Sequence, residues 1–307
     1  MVEGINLMAN TTPSICLLGA TGFLGSAIAK ELDARGLSWV GTSRQESNND
    51  KIKKVDLSDQ QSMINILRSA DVVINALGSA KPKDFEADAQ GRLNAIWNSA
   101  TNLTELIKLA DVKTFVHISS AGTVYGEYVN VPHLESSNLL PISWYGKAKV
   151  IEELYLENAC TSNNIDYLCI RVTNPYGNDK KSKHGFIDVL LNSVLSHKPF
   201  SFYQDCSPVR DFIYADDMAF SIVELIKLKR NGIFNLGSGE GLSLEAIANY
   251  VHNKLDGKTL ISRAQEKPVY DVLTNRVNIQ KLIDSNAYKN SMNVYKYIDN
   301  VLDNIGK

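Results

Sequence analysis

Two residues able to move a proton stand four apart, Tyr145 and Lys149, in the stretch WYGKAK. Side chains at that spacing share one face of a helix. The lysine charge then favours the phenolate and tunes the tyrosine toward acid/base work. The spacing alone says little, because Tyr176/Lys180 and Tyr250/Lys254 repeat it. Tyr250 reads as an ordinary packed helix residue. Context selects Tyr145: it opens a helix, and the apolar run KTFVHIS upstream of it ends at Ser119-Ser120. Strand ends along one edge of a parallel sheet converge on a common crevice, so Ser120 and Tyr145 can meet there.

The second chemical feature is Gly19-Ala20-Thr21-Gly22-Phe23-Leu24-Gly25, placed directly after an apolar run and at the head of a helical pattern. Glycines let the backbone turn tightly and approach a pyrophosphate, while the helix N-terminus offers unpaired N–H groups and partial positive charge. The pattern is GxxGxxG, not the commoner GxGxxG of dinucleotide-binding folds. A plain structural turn is the alternative. With a nicotinamide dinucleotide on this turn, Lys149 can also hydrogen-bond the nicotinamide ribose, and Tyr145 can exchange a proton with a sugar hydroxyl as hydride moves. The end of the second strand reads Gly41-Thr42-Ser43-Arg44, with no carboxylate before Glu46. NAD enzymes usually hold the ribose 2′-OH with an acid at this place, whereas Ser43 and Arg44 suit a 2′-phosphate. NADP(H) is therefore favoured, with NAD as the alternative and a solvated Arg44 as the bland reading. Asp56 and Leu57 follow a short strand where the adenine would sit. Asn75, Ala76, Leu77 and Gly78 end the next strand beside the cofactor.

The elements that must position these groups follow from the hydrophobic pattern. Strands are expected at Ser14–Gly19, Leu37–Thr42, Val72–Leu77, Lys113–Ser119 and Tyr167–Val172. Helices are expected at Phe23–Arg35, stopped by Gly36, and at Gln60–Arg68, Asn94–Ala110 and Trp144–Cys160. Such alternation implies an α/β fold, a Rossmann-like doubly wound parallel sheet. The strands are short apolar runs with little alternation, as expected when both faces are covered. Later elements are a helix at Phe186–Ser196, a hairpin-like stretch around Pro199–Tyr214, a helix at Asp216–Lys229, a strand at Gly232–Leu236 and a mixed tail. The expected division is a dinucleotide-binding domain over 14–173, with 212–236 returning to it, and a smaller C-terminal substrate lobe from 174–211 and 237–307.

Composition excludes several classes. The chain has 307 residues, ordinary apolar and charged fractions, and a formal net charge of −2. Lys and Arg are dispersed, which argues against a nucleic-acid groove or polybasic membrane surface. No apolar run approaches the roughly 20 residues that span a bilayer. Met1–Ser14 is polar and mixed, reading as a frayed extension and not a secretion signal, with Met8 an alternative start. Cys16, Cys160, Cys169 and Cys206 form no CxxC pair and read as reduced thiols in a cytoplasmic protein. The histidines do not fall at metal-ligand spacing, so no metal site is expected.

GATGFLG, HISSAGTVYG, WYGKAK, RVTNPYG and RDFIYADD, in that order, resemble the extended short-chain dehydrogenase/reductases, from about Ser14 to Gly239. That family contains NAD(P)-dependent sugar-nucleotide epimerases, dehydratases, decarboxylases and reductases. The resemblance implies Tyr145 as catalytic acid/base with Lys149 as its partner. The family's catalytic Ser or Thr stands three places before the VYG valine, where this chain has Ala121; Ser120, or else Thr123, would supply the hydroxyl. The Asp-Glu pair of sugar-nucleotide dehydratases is absent, since Gly122 and Thr123 occupy its places, which disfavours dehydration. The resemblance further implies that Asn174 and Arg210 bind the substrate diphosphate. The bland reading of Arg210 is an ion pair with Asp211, Asp216 or Asp217. Asn235–Gly239 matches a family turn, and Lys267-Pro268 stands where many relatives have Arg-Pro. Helices Asn94–Ala110 and Trp144–Cys160 correspond to the dimer helices of many relatives, with Leu103, Leu106, Ile107, Val150, Leu154 and Leu156 as the expected homodimer seam.

Three functions are expected from these residues. The first is NADPH-dependent reduction of a 4-keto sugar nucleotide in polysaccharide sugar synthesis. The second is NAD-dependent C4 epimerisation of a sugar nucleotide. The third is a non-catalytic cofactor-binding protein, which the retention of Tyr145, Lys149 and Arg210 argues against.

Overall fold

A computed structural model describes residues 13–78, 80–127, 132–178, 185–203 and 207–304. The first part of the chain runs β1 (Ile15–Leu18), α1 (Phe23–Ala34), β2 (Trp39–Ser43), β3 (Ile52–Lys54), α2 (Gln60–Leu67), β4 (Val72–Asn75), α3 (Pro82–Ala87), α4 (Ala89–Leu109), β5 (Thr114–Ser120), α5 (Ala121–Val124), α6 (Trp144–Ser162) and β6 (Asp166–Val172). Then come β7 (Asn174–Tyr176), α7 (Phe186–Leu195), β8 (Phe200–Tyr203), β9 (Val209–Tyr214), α8 (Ala215–Lys227) and β10 (Gly232–Leu236). The tail holds β11 (Gly241–Ser243), α9 (Leu244–Lys254), β12 (Ile261–Gln265), β13 (Thr274–Asn275), α10 (Gln280–Asp284) and α11 (Val294–Leu302).

Seven strands form one parallel sheet in the order β10-β6-β5-β4-β1-β2-β3. This is the doubly wound, Rossmann-like α/β arrangement expected from the alternation of apolar runs. Successive residues of β1 face opposite cores. Ile15 and Leu17 pack with Ile28, Leu32 and Ile222 beneath α1 and α8. Cys16 and Leu18 pack with Met63, Leu67, Leu103 and Leu156 beneath α2, α4 and α6. Burial on both faces explains why these strands lack polar alternation. The chain winds outward in both directions from β1 and β4, so the crevice at their carboxyl ends is the topological switch point. Gly36, at φ +63°, ends α1: its N–H bonds Asp33 O while Leu37 N–H bonds Leu32 O.

Several expectations change in detail. α4 starts at Ala89, before the expected Asn94, because the Asp88 carboxylate caps it through the Gly91 N–H at 2.8 Å. α3 was not expected at all. The Pro199–Tyr214 stretch is not a hairpin: β8 pairs with β12, and β9 pairs with β7, β11 and β13. Residues 204–206, between these two strands, lie outside the described residues. The expected dimer seam is mostly core: Leu103, Leu106, Ile107 and Leu156 are buried, Val150 is partly buried, and Leu154 is exposed. The C-terminal part gathers its own apolar cluster around Tyr176, Leu190, Phe212, Ile247, Val251 and Ile298. Among the described residues no helix is long and apolar enough to cross a membrane.

One buried polar network fastens α6 to the sheet. Arg171 of β6 donates to both carboxylate oxygens of Glu153, at 2.8 to 3.2 Å, and Ser119 of β5 donates to the same carboxylate. Arg171 also reaches the Tyr125 hydroxyl and the Glu135 carbonyl, both at 3.1 Å, and Tyr125 donates to Asn235 of β10 at 2.6 Å. Removing one member of a buried ion pair strands the other charge without a partner. Glu153→Ala is therefore expected to lower unfolding stability by about 3–5 kcal/mol, read from urea denaturation. A loss below about 1 kcal/mol would show that α6 does not depend on this pair.

Candidate functional site

The glycine turn leaves β1 at Gly19, whose φ is +76°. A Cβ added at Gly19 would stand 2.9 Å from the Ala76 carbonyl oxygen, so only glycine lets the turn lie against the end of β4. A Cβ at Gly25 would fall 2.1 Å from the Gly19 carbonyl oxygen, so Gly25 lets α1 press onto its own entry turn. Gly22 caps α1 without a side-chain hydrogen bond, and the first turn carries no acid. The first N–H groups of the helix therefore stay available for an anion.

A cleft of about 430 Å³ extends from this turn across the switch point. Its walls contain Gly19, Thr21 and Gly22, then Ser43 at the end of β2 and Arg44 after it, Asp56 and Leu57 after β3, and Ala76, Leu77 and Gly78 after β4. Thr21 and Ser43 share a hydrogen bond of 3.0 Å between their hydroxyls. Asp56 accepts from the Ser58 N–H and hydroxyl, at 3.0 and 2.7 Å, which with the nearby Arg44 charge holds its carboxyl below the usual range. Phe23, Leu24 and Gly25, also expected from the sequence to hold the cofactor, are not in the cleft lining. Asn98, Ser99 and Asn102 of α4 also line the cleft. Sequence reading missed them. Asn102 donates to the Leu57 carbonyl at 2.7 Å, and nothing in a polar i, i+1, i+4 set says which side of α4 faces the sheet.

The cleft continues into a smaller cavity that shares Leu77, Gly78 and Ser99 with it and adds Asn75, Arg92, Tyr145, Lys149 and Glu152. Ser143 caps α6 through the Gly146 N–H at 3.0 Å, which fixes where Tyr145 leaves the helix. The Tyr145 ring meets the edge of Phe85, with centroids 5.8 Å apart. Lys149 is buried, and its Nζ lies 2.8 Å from Glu152 Oε2. Burial opposes the ammonium, but Glu152 and the Tyr145 phenol outweigh it, so Lys149 is held above the ordinary lysine value. His117, also fully buried, is pushed down to about 4 by desolvation and the Lys149 charge, and is neutral near pH 7.

Ser120 ends β5, and its hydroxyl does not cap α5. A Cβ at Gly122 would lie 3.7 Å from Ser120 Oγ and 3.9 Å from Asn174 Oδ1, which places both polar atoms on one side of that glycine. Ala121 is fully buried among Val124, Tyr125 and Val277, and its carbonyl accepts from Asn275 at 2.8 Å. Thr123 lines a separate hollow with Lys81, Gly122, Ser143, Tyr270 and Asp271.

Asn174 donates to the Asp211 carbonyl at 2.8 Å. Arg210 is buried and forms an ion pair at 2.8 Å, but with Asp271 and not with the three acids weighed from the sequence. It also donates to the carbonyls of Val209, Val272 and Leu273. Asp271 in turn accepts from the Tyr203 hydroxyl at 2.8 Å. Asp211 accepts from the N–H groups of Ser238, Gly239 and Val277, and burial raises its carboxyl to about 6. Asp216 pairs with Lys30, and Asp217 accepts from Ser291. Lys267 bonds the carbonyls of Pro268 and Asp271. The competing tyrosines are structural: Tyr176 is buried and donates to Met292 O, while Tyr250 and Lys254 both bind Asp299. Lys180 and Cys206 lie outside the described residues. Cys16, Cys160 and Cys169 are free and buried, and burial pushes the Cys16 and Cys160 thiols up to about 12.

The class defined by this sheet, turn and tyrosine–lysine pair is that of NAD(P)-dependent short-chain dehydrogenase/reductase enzymes. Residues 15–237 match the model of the NAD dependent epimerase/dehydratase family, and the chain belongs to that family. It is 26% identical over 271 residues to the dTDP-4-dehydro-6-deoxyglucose reductase of Escherichia coli, covering 80% of this chain and 83% of that protein. It is 28% identical over 257 residues to the UDP-glucose 4-epimerase of Mycolicibacterium smegmatis, covering 78% and 80%. In fold it is similar to the Thermus thermophilus UDP-glucose 4-epimerase solved with NAD, with a TM-score of 0.83 at 23% identity, covering 95% of this chain and 99% of the other.

The glycine contacts make a direct prediction. Gly25→Ala places a methyl on the Gly19 carbonyl and must spread the turn. Dinucleotide affinity, measured by isothermal titration, is expected to fall by about a hundredfold, a loss of about 2.7 kcal/mol. Unchanged affinity would remove the turn from the binding site.

Proposed function

We propose that this protein is an NADPH-dependent reductase of a 4-keto sugar nucleotide. The observation that carries the reading is the end of β2, where Ser43 and Arg44 line the cleft and no carboxylate stands. A guanidinium there suits a ribose 2′-phosphate, to which it can donate two parallel hydrogen bonds. The closely approached turn and uncapped α1 fit the pyrophosphate of the same cofactor. Bound NADPH supplies a hydride to the carbonyl carbon of the sugar.

The remaining tasks fall to the chain. Tyr145 gives its phenolic proton to the carbonyl oxygen as that oxygen becomes a hydroxyl. Lys149 stabilises the phenolate left behind and holds the nicotinamide ribose, and the phenolate regains its proton from solvent. The Ser120 hydroxyl, with Thr123 as the alternative, donates to the same carbonyl oxygen. Ser120 is preferred because it ends β5 and its Oγ lies on the same side of Gly122 as Asn174 Oδ1. Asn174 and Arg210 bind the diphosphate. To do so Arg210 must share or surrender Asp271, which selects for a strongly charged ligand group. The similarity to the E. coli reductase supports the same reaction class.

A second reading, C4 epimerisation with retained NAD, is supported by the similarity to the mycobacterial epimerase. In either case a homodimer through α4 and α6 is proposed. The face that fits it carries Trp97 and Ile151, 46% and 47% exposed, beside Leu154, the one exposed residue of the seam expected from the sequence, at 59%.

Identification of the cofactor released from purified protein separates the two readings. NADPH oxidation on adding dTDP-4-dehydro-6-deoxyglucose, lost about a hundredfold in kcat in Tyr145→Phe, is the expected result. Firmly retained NAD, with interconversion of UDP-glucose and UDP-galactose and no consumption of NADPH, would replace it with the epimerase. Arg44→Ala is expected to weaken NADPH binding about tenfold, or about 1.4 kcal/mol, and to leave NADH binding unchanged. Equal effects on both would return Arg44 to the role of a solvated charge.

A further inference from the structure

Two acids follow one another on α6, and they point to different work. Glu153 is consumed by Arg171 and Ser119 in the network that seats the helix. Glu152 has no such duty. Its side chain is 11% exposed, lines the cavity that holds Tyr145, and meets the Lys149 ammonium at 2.8 Å. Seven residues are about two helical turns, so Tyr145, Lys149 and Glu152 lie on one face in that order.

We propose that Glu152 is a positioning residue of the reactive pair: its carboxylate fixes the Lys149 side chain and offsets part of the positive charge that reaches the Tyr145 phenol. The proposal rests on the reading of Tyr145 as the acid/base.

The other groups around the carboxylate leave Lys149 as its counter-charge. His117 of β5 puts Nε2 at 3.8 Å from Glu152 Oε2, but it is neutral near pH 7, and that nitrogen has no hydrogen-bond partner among the described residues. Arg92 of α4 lines the same cavity. Arg171 of β6 is committed to Glu153. From α3 the side chain that touches the site is the Phe85 ring, while Lys83 and Glu86 are exposed. A buried ammonium without a carboxylate would draw the proton off the phenol strongly. Paired with Glu152 it draws less. The carboxylate sits farther along the helix than the ammonium, so the offset is partial. The protonated phenol is the form that a reductase must hold ready to donate. The same pairing stops a flexible four-carbon side chain from folding away from the ribose side of the cavity.

The test is an ultraviolet titration of phenolate in the NADP⁺-loaded protein. The chain has 13 tyrosines, so the Tyr145 component is taken as the difference from Tyr145→Phe. Glu152→Gln and Glu152→Ala are each expected to move the midpoint of that component down by about half to one pH unit. Glu152→Asp, which keeps the charge, is expected to stay near the wild-type midpoint, and the alkaline limb of kcat/KM for reduction should follow the same order. Two variants guard against a misfolded glutamine substitution, and circular dichroism checks each. Unshifted midpoints in folded Gln and Ala variants would overturn the role of Glu152 while leaving Tyr145 in place. A wild-type titration that Tyr145→Phe does not alter would overturn the acid/base assignment itself, and Glu152 with it.

Discussion

The arrangement depends on the seating of α6 by the Glu153–Arg171 ion pair. A helix lying across a parallel sheet can slide by one residue, which rotates it by about 100° and shifts it by about 1.5 Å. Either change would carry Tyr145 off the cleft. Leu156 and Cys160, buried in the core, oppose this through apolar packing. A charged pair buried with its hydrogen bonds satisfied adds a directional restraint. Glu153 must meet the Arg171 guanidinium and the Ser119 hydroxyl at once, and that geometry holds in a single register. Burying two charges is expensive. A buried polar pair is well suited to choosing one register, and here the register decides which side chain enters the cofactor cleft.

The opposite end of the site follows a different rule. At the glycine turn no side chain does the selecting. Contacts of Gly19 with Ala76 and of Gly25 with Gly19 leave no room for a methyl group, and the uncapped first turn of α1 presents its amides outward. In the proposed function a dinucleotide would thus be held at one end by backbone and at the other by ionisable side chains. The two ends sit on different sides of the switch point, where β1 and β4 part. This explains how one cleft can combine tight phosphate binding with adjustable chemistry.

Most of the fold and this end of the site were legible because they are local. The hydrophobic period gives β1, α1, β4 and β5, and glycine spacing gives the turn. Ser43 ends a strand, Arg44, Asp56 and Gly78 each follow one, and strand ends in a doubly wound sheet have one destination. What escaped was set by tertiary contacts. Asn98, Ser99 and Asn102 belong to the cleft because of the angle at which α4 crosses the sheet. Asp271 reaches Arg210 across 61 residues of chain, and no spacing rule connects them. Leu103 and Leu156 have the apolar character of a dimer seam, but the pattern does not say whether the partner is another helix or the chain's own sheet. The pairing of β8 with β12 had no local signal either, since β9, α8, β10, β11 and α9 lie between them in the chain.

The same distinction separates the two glutamates of α6. Glu153 is a fold residue and Glu152 a tuning residue, although they are identical in type and adjacent in sequence. One step along a helix turns a side chain by about 100°, enough to move a carboxylate from the sheet to the cofactor wall. In the first position the charge is cancelled by an arginine that serves no reaction. In the second it lies against the ammonium that governs a phenol. In the proposed mechanism the reacting group is then surrounded by a balance of charge on one helix face: one phenol, one ammonium and one carboxylate. A helix held in a single register can carry such a balance, whereas a mobile loop would average it away. The rigidity supplied by Arg171 and Glu153 is therefore the condition under which Glu152 can have a defined electrostatic effect on Tyr145.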